Sequence, residues 1–406
     1  MGPKEGNRLM KKTPKEELNR RISALQQRME SGEIDGALIV QNTDLFYFTG
    51  TVPQGYLFIP SSGEPLFFVR RNVDSIRNES DLNVIIPIGG LRELPGLLAE
   101  HGYPQIKRLG MELDVLPVNL YLRYLDVVKP GEIVDVWPSI QAVRSVKSEY
   151  EIGLIKEVAV LADFMVATCR NNLKEGLTDI ELAAAIEAAA RKRGHQGYVR
   201  MRTFNQEVYW GHLISGPDAA DLTFTDSTTG GHGLYNAFPQ SSGWRTIRRQ
   251  EPVITDMGAV MYGYCVDQTR TLSLGPLPDK LDNAYKVSLN IQYELGKMIE
   301  PGVSVGDLFS KAQIAAESHH LGEHFLGYGT RRLGFCGHGV GLELDEYPVI
   351  ARGGKALLAS GMVIAVEPKF NFPGEGVVGV EDTFVVTEKG SQRLTNASYV
   401  VDVTQR

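Results

Sequence analysis

Short apolar runs bounded by Gly, Pro, Asn or Asp recur through the first third of the chain. They fall at residues 36–40, 45–48, 56–59, 65–69, 83–87 and 108–112, and read as strands. Segments with helical spacing lie at 16–31, 91–101 and 117–128. This alternation predicts an α/β domain with a largely mixed sheet. It has no Gly-rich phosphate loop and no His, Asp or Glu at ligand spacing, so no chemistry is assigned to it. Residues 1–15 are polar and read as a flexible tail.

The pattern then changes. Ser148-Glu-Tyr-Glu151 and Thr178-Asp-Ile-Glu181 are capping boxes, predicting helices over 148–173 and 178–194. A long segment rich in Gly, Ser, Thr and aromatics follows at 195–250; loops of that length in a compact domain usually serve function. A further helix is expected over 279–299. Gly302-Val-Ser-Val-Gly-Asp-Leu308 resembles Gly176-Leu-Thr-Asp-Ile-Glu-Leu182, a trace of internal duplication. The boundaries expected are a tail over 1–15, an α/β domain over 16–140 and a second domain over 141–406.

Four acids in the second domain adjoin runs typical of buried strands. Val253-Ile254 precedes Asp256, Val363 to Val366 precedes Glu367, and Val377 to Val380 precedes Glu381. A buried acid needs a partner. Asp256 and Asp267 lie 11 apart, so a hairpin turning at Met261-Tyr262 would set them opposite each other. Glu367 and Glu381 lie 14 apart, so a hairpin centred on Gly374 does the same for them. Like charges opposed in a sheet repel, and two divalent cations would balance four carboxylates. With His338 the set suits Mn, Co, Fe or Zn.

The segments TDMGAVMYGYCVDQTRT, CGHGVGLELDE and VEPKFNFPGEGVVGVEDT together resemble the pita-bread metallopeptidase superfamily, which includes methionine aminopeptidase, prolidase and aminopeptidase P. The match is strong over about 140–395. It is looser over 15–140, which is similar to the N-terminal domain of the prolidase, aminopeptidase P and creatinase branch. The resemblance implies an α/β N-terminal domain and an α+β pita-bread catalytic domain with internal pseudo-twofold symmetry. It implies Asp256, Asp267, His338, Glu367 and Glu381 as ligands, with Asp267 and Glu381 bridging two ions. A bridging hydroxide would attack the scissile amide and Glu367 would act as general base. Thr269 would orient Asp267.

Two departures stand out. The peptidases usually place a second histidine seven residues after the ligand, where this chain has Asp345. The proline-specific members place an arginine two residues before the last glutamate, where it has Gly379. Lys369 stands where the family usually has glycine. On a strand it would share the face of Glu367 and could balance charge or bind a substrate carboxylate; the alternative is a solvated lysine. The 342–345 run, read as a strand, sets Asp345 on the face of Glu343. The peptidases also carry a substrate-contacting histidine ahead of the first ligand, for which His232 is the nearer candidate and His212 the second. Tyr235, Phe238 and Trp244 could line a pocket for a proline ring. His319, His320 and His324 read as surface.

Composition narrows the partners. The net charge of −7 argues against nucleic acid. Cys169, Cys265 and Cys336 are too few and scattered for a disulfide framework and read as reduced and buried. Neither a signal-peptide pattern nor an apolar stretch of membrane-spanning length is present, so a cytoplasmic protein is expected, acting on a small peptide. The resemblance implies a homodimer. The expected function is a dinuclear Xaa-Pro aminopeptidase or dipeptidase. The alternative is a metal-dependent lyase or hydrolase of a small non-peptide substrate, and a non-catalytic binding module ranks last.

Overall fold

The computed structural model describes residues 11–404. The chain forms two compact units that meet in sequence at Arg144 and Ser145. The first contains α1 (Lys15–Ser31), β1 (Gly36–Ile39), α2 (Asn42–Thr49), β2 (Gly55–Pro60), β3 (Leu66–Val69), α3 (Val73–Glu79), β4 (Ile85–Pro87), α4 (Leu94–Glu100), β5 (Arg108–Met111), α5 (Val118–Val128), β6 (Glu132–Asp135) and α6 (Trp137–Ser145). Its six-stranded sheet has the order β4-β3-β2-β1-β5-β6. The β1–β2 and β2–β3 pairs are antiparallel, and the other three are parallel. Leu38, Phe58, Phe68 and Leu109 from the sheet pack with Leu94 and Leu98 of α4.

Residues 45–48, expected as a strand, lie in helix α2. The Gln41 side chain accepts from the N–H groups of Thr43 and Asp44, and Gly50 closes the helix in the left-handed region. A four-residue apolar run fits a buried helix as well as a strand, and here the caps decide.

The second unit holds α7 (Glu149–Asn172), α8 (Asp179–Lys192), β7 (Gly211–Ser215), β8 (Val253–Met261), β9 (Tyr264–Leu272), α9 (Asp279–Met298), α10 (Val305–Ser318), β10 (Phe335–Gly339), β11 (Glu346–Ala351), β12 (Val363–Val366), β13 (Lys369–Phe372), β14 (Gly376–Gly379), β15 (Asp382–Thr387) and β16 (Gly390–Arg393). Both expected capping boxes form. The unit repeats one plan. A helix pair, α7 and α8, is followed by the sheet β7-β8-β9. A second pair, α9 and α10, is followed by the sheet β11-β10-β12-β15-β16 and the ribbon β13-β14. The two sheets touch at an antiparallel bridge between Thr269 and Glu381.

Strand β7 lies inside the segment read as irregular. It pairs with β8 and sets His212 directly opposite Asp256. The β8–β9 turn is Tyr262-Gly263, both with positive φ, one position later than expected. Asp256 therefore faces Thr269, and Gly258 faces Asp267. The two aspartates are diagonal neighbours on one face instead of a direct pair.

The second hairpin turns at Gly374, as the spacing requires. Phe372 pairs with Gly376, Lys369 with Gly379, and, beyond an interruption, Val366 with Asp382. All three pairs share one register, which sets Glu367 and Glu381 opposite each other at the interruption. Pro368 lies there and has no N–H to give to a ladder.

Candidate metal centre

All five expected ligands come together and all are buried: Asp256, Asp267, His338, Glu367 and Glu381. Ligand atoms of Asp267, His338 and Glu381 lie within 4.8 Å of one another. His338 Nε2 is 3.9 Å from Glu367 Oε1 and 3.9 Å from Glu381 Oε1. Glu381 Oε1 is buried without a hydrogen-bond partner among the described residues.

Lys369 is fully buried, not solvated, because Gly379 opposite it has no side chain to fill the space. Its Nζ donates to Asp256 Oδ2 at 2.8 Å, Glu367 Oε2 at 2.9 Å and Glu381 Oε2 at 3.2 Å. Thr229 Oγ1 also donates to Asp256 Oδ2, at 3.2 Å. The Thr269 hydroxyl donates to Glu381 Oε2 at 2.7 Å and not to Asp267, because β9 brings its side chain to the inter-sheet bridge. Arg270 supports the same point from behind. It donates to the carbonyls of Thr269 and Glu381, both at 2.8 Å, and pairs with Asp382 at 2.7 Å.

One ammonium does not neutralise four acids, and the proton affinities record it. Burial, then the Asp256 charge, pushes Asp267 up to about 7. Burial and Asp267 hold Glu381 well above the usual carboxylate range. Burial opposes a charge on His338, but Asp345, Glu367, Glu381 and Asp267 outweigh it and lift the imidazole to about 10. Burial likewise works against the Asp256 carboxylate, yet Lys369 and His212 keep it low. Without a further cation the site retains protons. Asp267, Glu381 and His338, with Glu367 Oε1 3.9 Å from the imidazole, fit a divalent metal ion on the His338 side.

Of the other expected residues, Asp345 and His212 line the same cavity as Asp256, Asp267, His338 and Glu367, whereas His232 and Tyr235 do not. Asp345 is 41% exposed, with Oδ1 3.5 Å from His338 Nδ1. Residues 342–345 do not form a strand: β11 begins only at Glu346, and Glu343 turns instead to Arg202 at 3.7 Å. His232 is 63% exposed and pairs with Asp221 at 3.0 Å, so the structure does not bring it to the acids. His212 is buried beside Asp256, its Nδ1 without a hydrogen-bond partner among the described residues. Sequence distance favoured His232, but it is His212 that strand pairing sets beside Asp256; the apolar Leu213-Ile214 next to it was the available signal. His324 is half-buried, with Nδ1 2.9 Å from the Asn371 carbonyl.

The ligand cavity is small, about 60 Å³, and Gln206, Thr225, Asp226 and Ser227 also line it. None of these four was singled out from the sequence. Tyr235 and Phe238 line a different cavity of about 380 Å³, with Trp210, Leu213 and Met257. Leu213 and Met257 alternate with His212 and Asp256 along β7 and β8, so that cavity lies on the reverse face of the sheet. Trp244 does not line it. Among the described residues no helix is long and apolar enough to cross a membrane.

Residues 153–388 match the model of metallopeptidase family M24, and residues 21–146 match that of the creatinase/prolidase N-terminal domain. An uncharacterized peptidase of Staphylococcus epidermidis is 30% identical over 92% of this chain and 98% of its own. An Xaa-Pro dipeptidase of Pyrococcus horikoshii is 27% identical over 93% and 97%. Among solved structures, the prolidase from Pyrococcus horikoshii OT3 has a TM-score of 0.79 at 26% identity, covering 94% of this chain and 100% of that one. The Xaa-Pro dipeptidase from Bacillus anthracis has a TM-score of 0.80 at 25% identity, covering 95% and 99%. With both of its domains matched and its fold shared with the pita-bread prolidases, the chain belongs to metallopeptidase family M24.

Proposed function

We propose that the protein is a metal-dependent peptidase that hydrolyses small Xaa-Pro peptides, dipeptides above all. The observation that carries this reading is the buried set of Asp256, Asp267, His338, Glu367 and Glu381 around an unpartnered carboxylate oxygen. The likeness to Xaa-Pro dipeptidases over almost the whole chain supports it.

A divalent ion held by these residues would supply positive charge to polarise the scissile carbonyl and acidify water. Glu367 takes the proton of the attacking water and delivers it to the proline nitrogen as the C–N bond breaks. Asp345 stands at the exposed rim, 3.5 Å from His338, at the position where the peptidases usually carry a histidine. His212, buried against Asp256, helps to fix that carboxylate.

Protein loaded with Mn or Co should cleave Xaa-Pro dipeptides, lose activity with a chelator and lose it in Glu367→Gln. Absence of turnover across a broad Xaa-Pro panel, with metal bound, would overturn the reading. Asp345 and Gly379 depart from the peptidase pattern and favour a second reading, a lyase or hydrolase of a small non-peptide substrate on the same residues. Turnover of a metabolite panel alongside a silent peptide panel would establish it.

A further inference from the structure

Resting on the metal-dependent reading of this site, we infer that the Lys369 ammonium permanently fills one of two cation positions, so that the protein binds a single divalent ion. The geometry carries this. A lysine ammonium has three N–H donors, and here each is given to a different carboxylate: Asp256, Glu367 and Glu381. Those are the oxygens that a metal ion on that side would coordinate. An ion bound to those three oxygens would have to displace the ammonium from all of its hydrogen bonds at once, leaving a buried charge without its partners.

Glu367 and Glu381 split their oxygens between two positions. In each, Oε2 accepts a hydrogen bond from Lys369, while Oε1 lies 3.9 Å from His338 Nε2. The two acids bridge two cation positions, one occupied by nitrogen and one lined by His338 and Asp267. The fold is built around this arrangement. Lys369 and Gly379 are direct partners in the β13–β14 ladder. A Cβ at position 379 would lie 2.7 Å from Lys369 Cα and 2.8 Å from its Cγ. Glycine is needed there for space, not for backbone conformation. The two departures from the family pattern, a lysine where glycine is usual and a glycine where arginine is usual, thus face each other as one feature.

The test is a metal count on the full-length protein. Chelated protein is titrated with Mn(II), followed by elemental analysis and electron paramagnetic resonance. The wild type should hold one ion per chain with the spectrum of an isolated Mn(II). Lys369→Gly should hold two with an exchange-coupled spectrum, and Lys369→Arg should remain at one. Two coupled ions in the wild type would overturn the inference, as would a folded Lys369→Gly variant that still binds one. If Lys369→Gly does not fold, the wild-type count decides alone. A wild type that binds no ion would sink both the inference and the metal-dependent reading. One bound ion without Xaa-Pro cleavage would sink only the peptidase proposal.

Discussion

Arg270 offers a sharp test of how the ligands are held. Its side chain and that of Asp382 are both fully buried and pair at 2.7 Å. Arg270 also donates to the carbonyls of Thr269 and Glu381, and to that of Ala397 at 2.9 Å, and its guanidinium lies 4.4 Å from the Tyr399 ring centroid. Arg270→Met keeps most of the volume but leaves these carbonyls and one carboxylate without the cation. Removing one partner of a buried pair costs about 3–5 kcal/mol. Asp382 keeps donors in the hydroxyls of Thr395 and Tyr399, so the lower end applies, about 3 kcal/mol. In a domain of this size that corresponds to a melting temperature lower by about 6–12 °C. Calorimetry on chelated protein measures it. Asp382→Leu added to Arg270→Met should recover part of the loss, because the stranded charge is gone. A drop below about 1 kcal/mol in the single variant, or no recovery in the double, would refute the reasoning.

Two further predictions concern His195 and Asp345. His195 stacks on Trp210, accepts from Gly197 N–H and donates to the Gly258 carbonyl, and burial lowers its pKa to about 4. Its folded value lies below the unfolded one. Its contribution is therefore complete above about pH 6.5 and is lost as pH falls through 4, on the order of 3 kcal/mol in all. The stability gap between wild type and His195→Gln should shrink over that window in pH-dependent melts, and a constant gap would refute the assignment. Asp345→His should raise kcat/KM on Xaa-Pro dipeptides. An oxyanion donor is worth about 10²–10³-fold in hydrolases, so even partial gain is measurable; unchanged activity at full metal content would mean that position 345 does not reach the reacting atoms.

The meeting of the candidate ligands was legible because residue spacing in a hairpin fixes register. For Glu367 and Glu381 the turn glycine, Gly374, fell at the midpoint and the pairing followed. For Asp256 and Asp267 the midpoint gave way to the needs of the turn, since Tyr262-Gly263 supplies two positive φ angles, and the pair became diagonal. The histidine beside Asp256 was less legible. Strand β7 joins β8 across about forty residues, and such pairing depends on partners that local pattern does not reveal. Alternation gave the face of Lys369 but not its depth. Depth came from three acids converging from three strand segments and from the empty space at Gly379.

The interrupted hairpin has a consequence for tinkering with this molecule. The ladder between β12 and β15 and that between β13 and β14 share one register on either side of Pro368. Glu367 and Glu381 are therefore indexed twice, once from the sheet below and once from the ribbon above. The tip around Gly374 is spare as a ruler. Loops of other lengths or chemistries could be grafted there, to add a recognition element or a reporter, and the two glutamates would still meet.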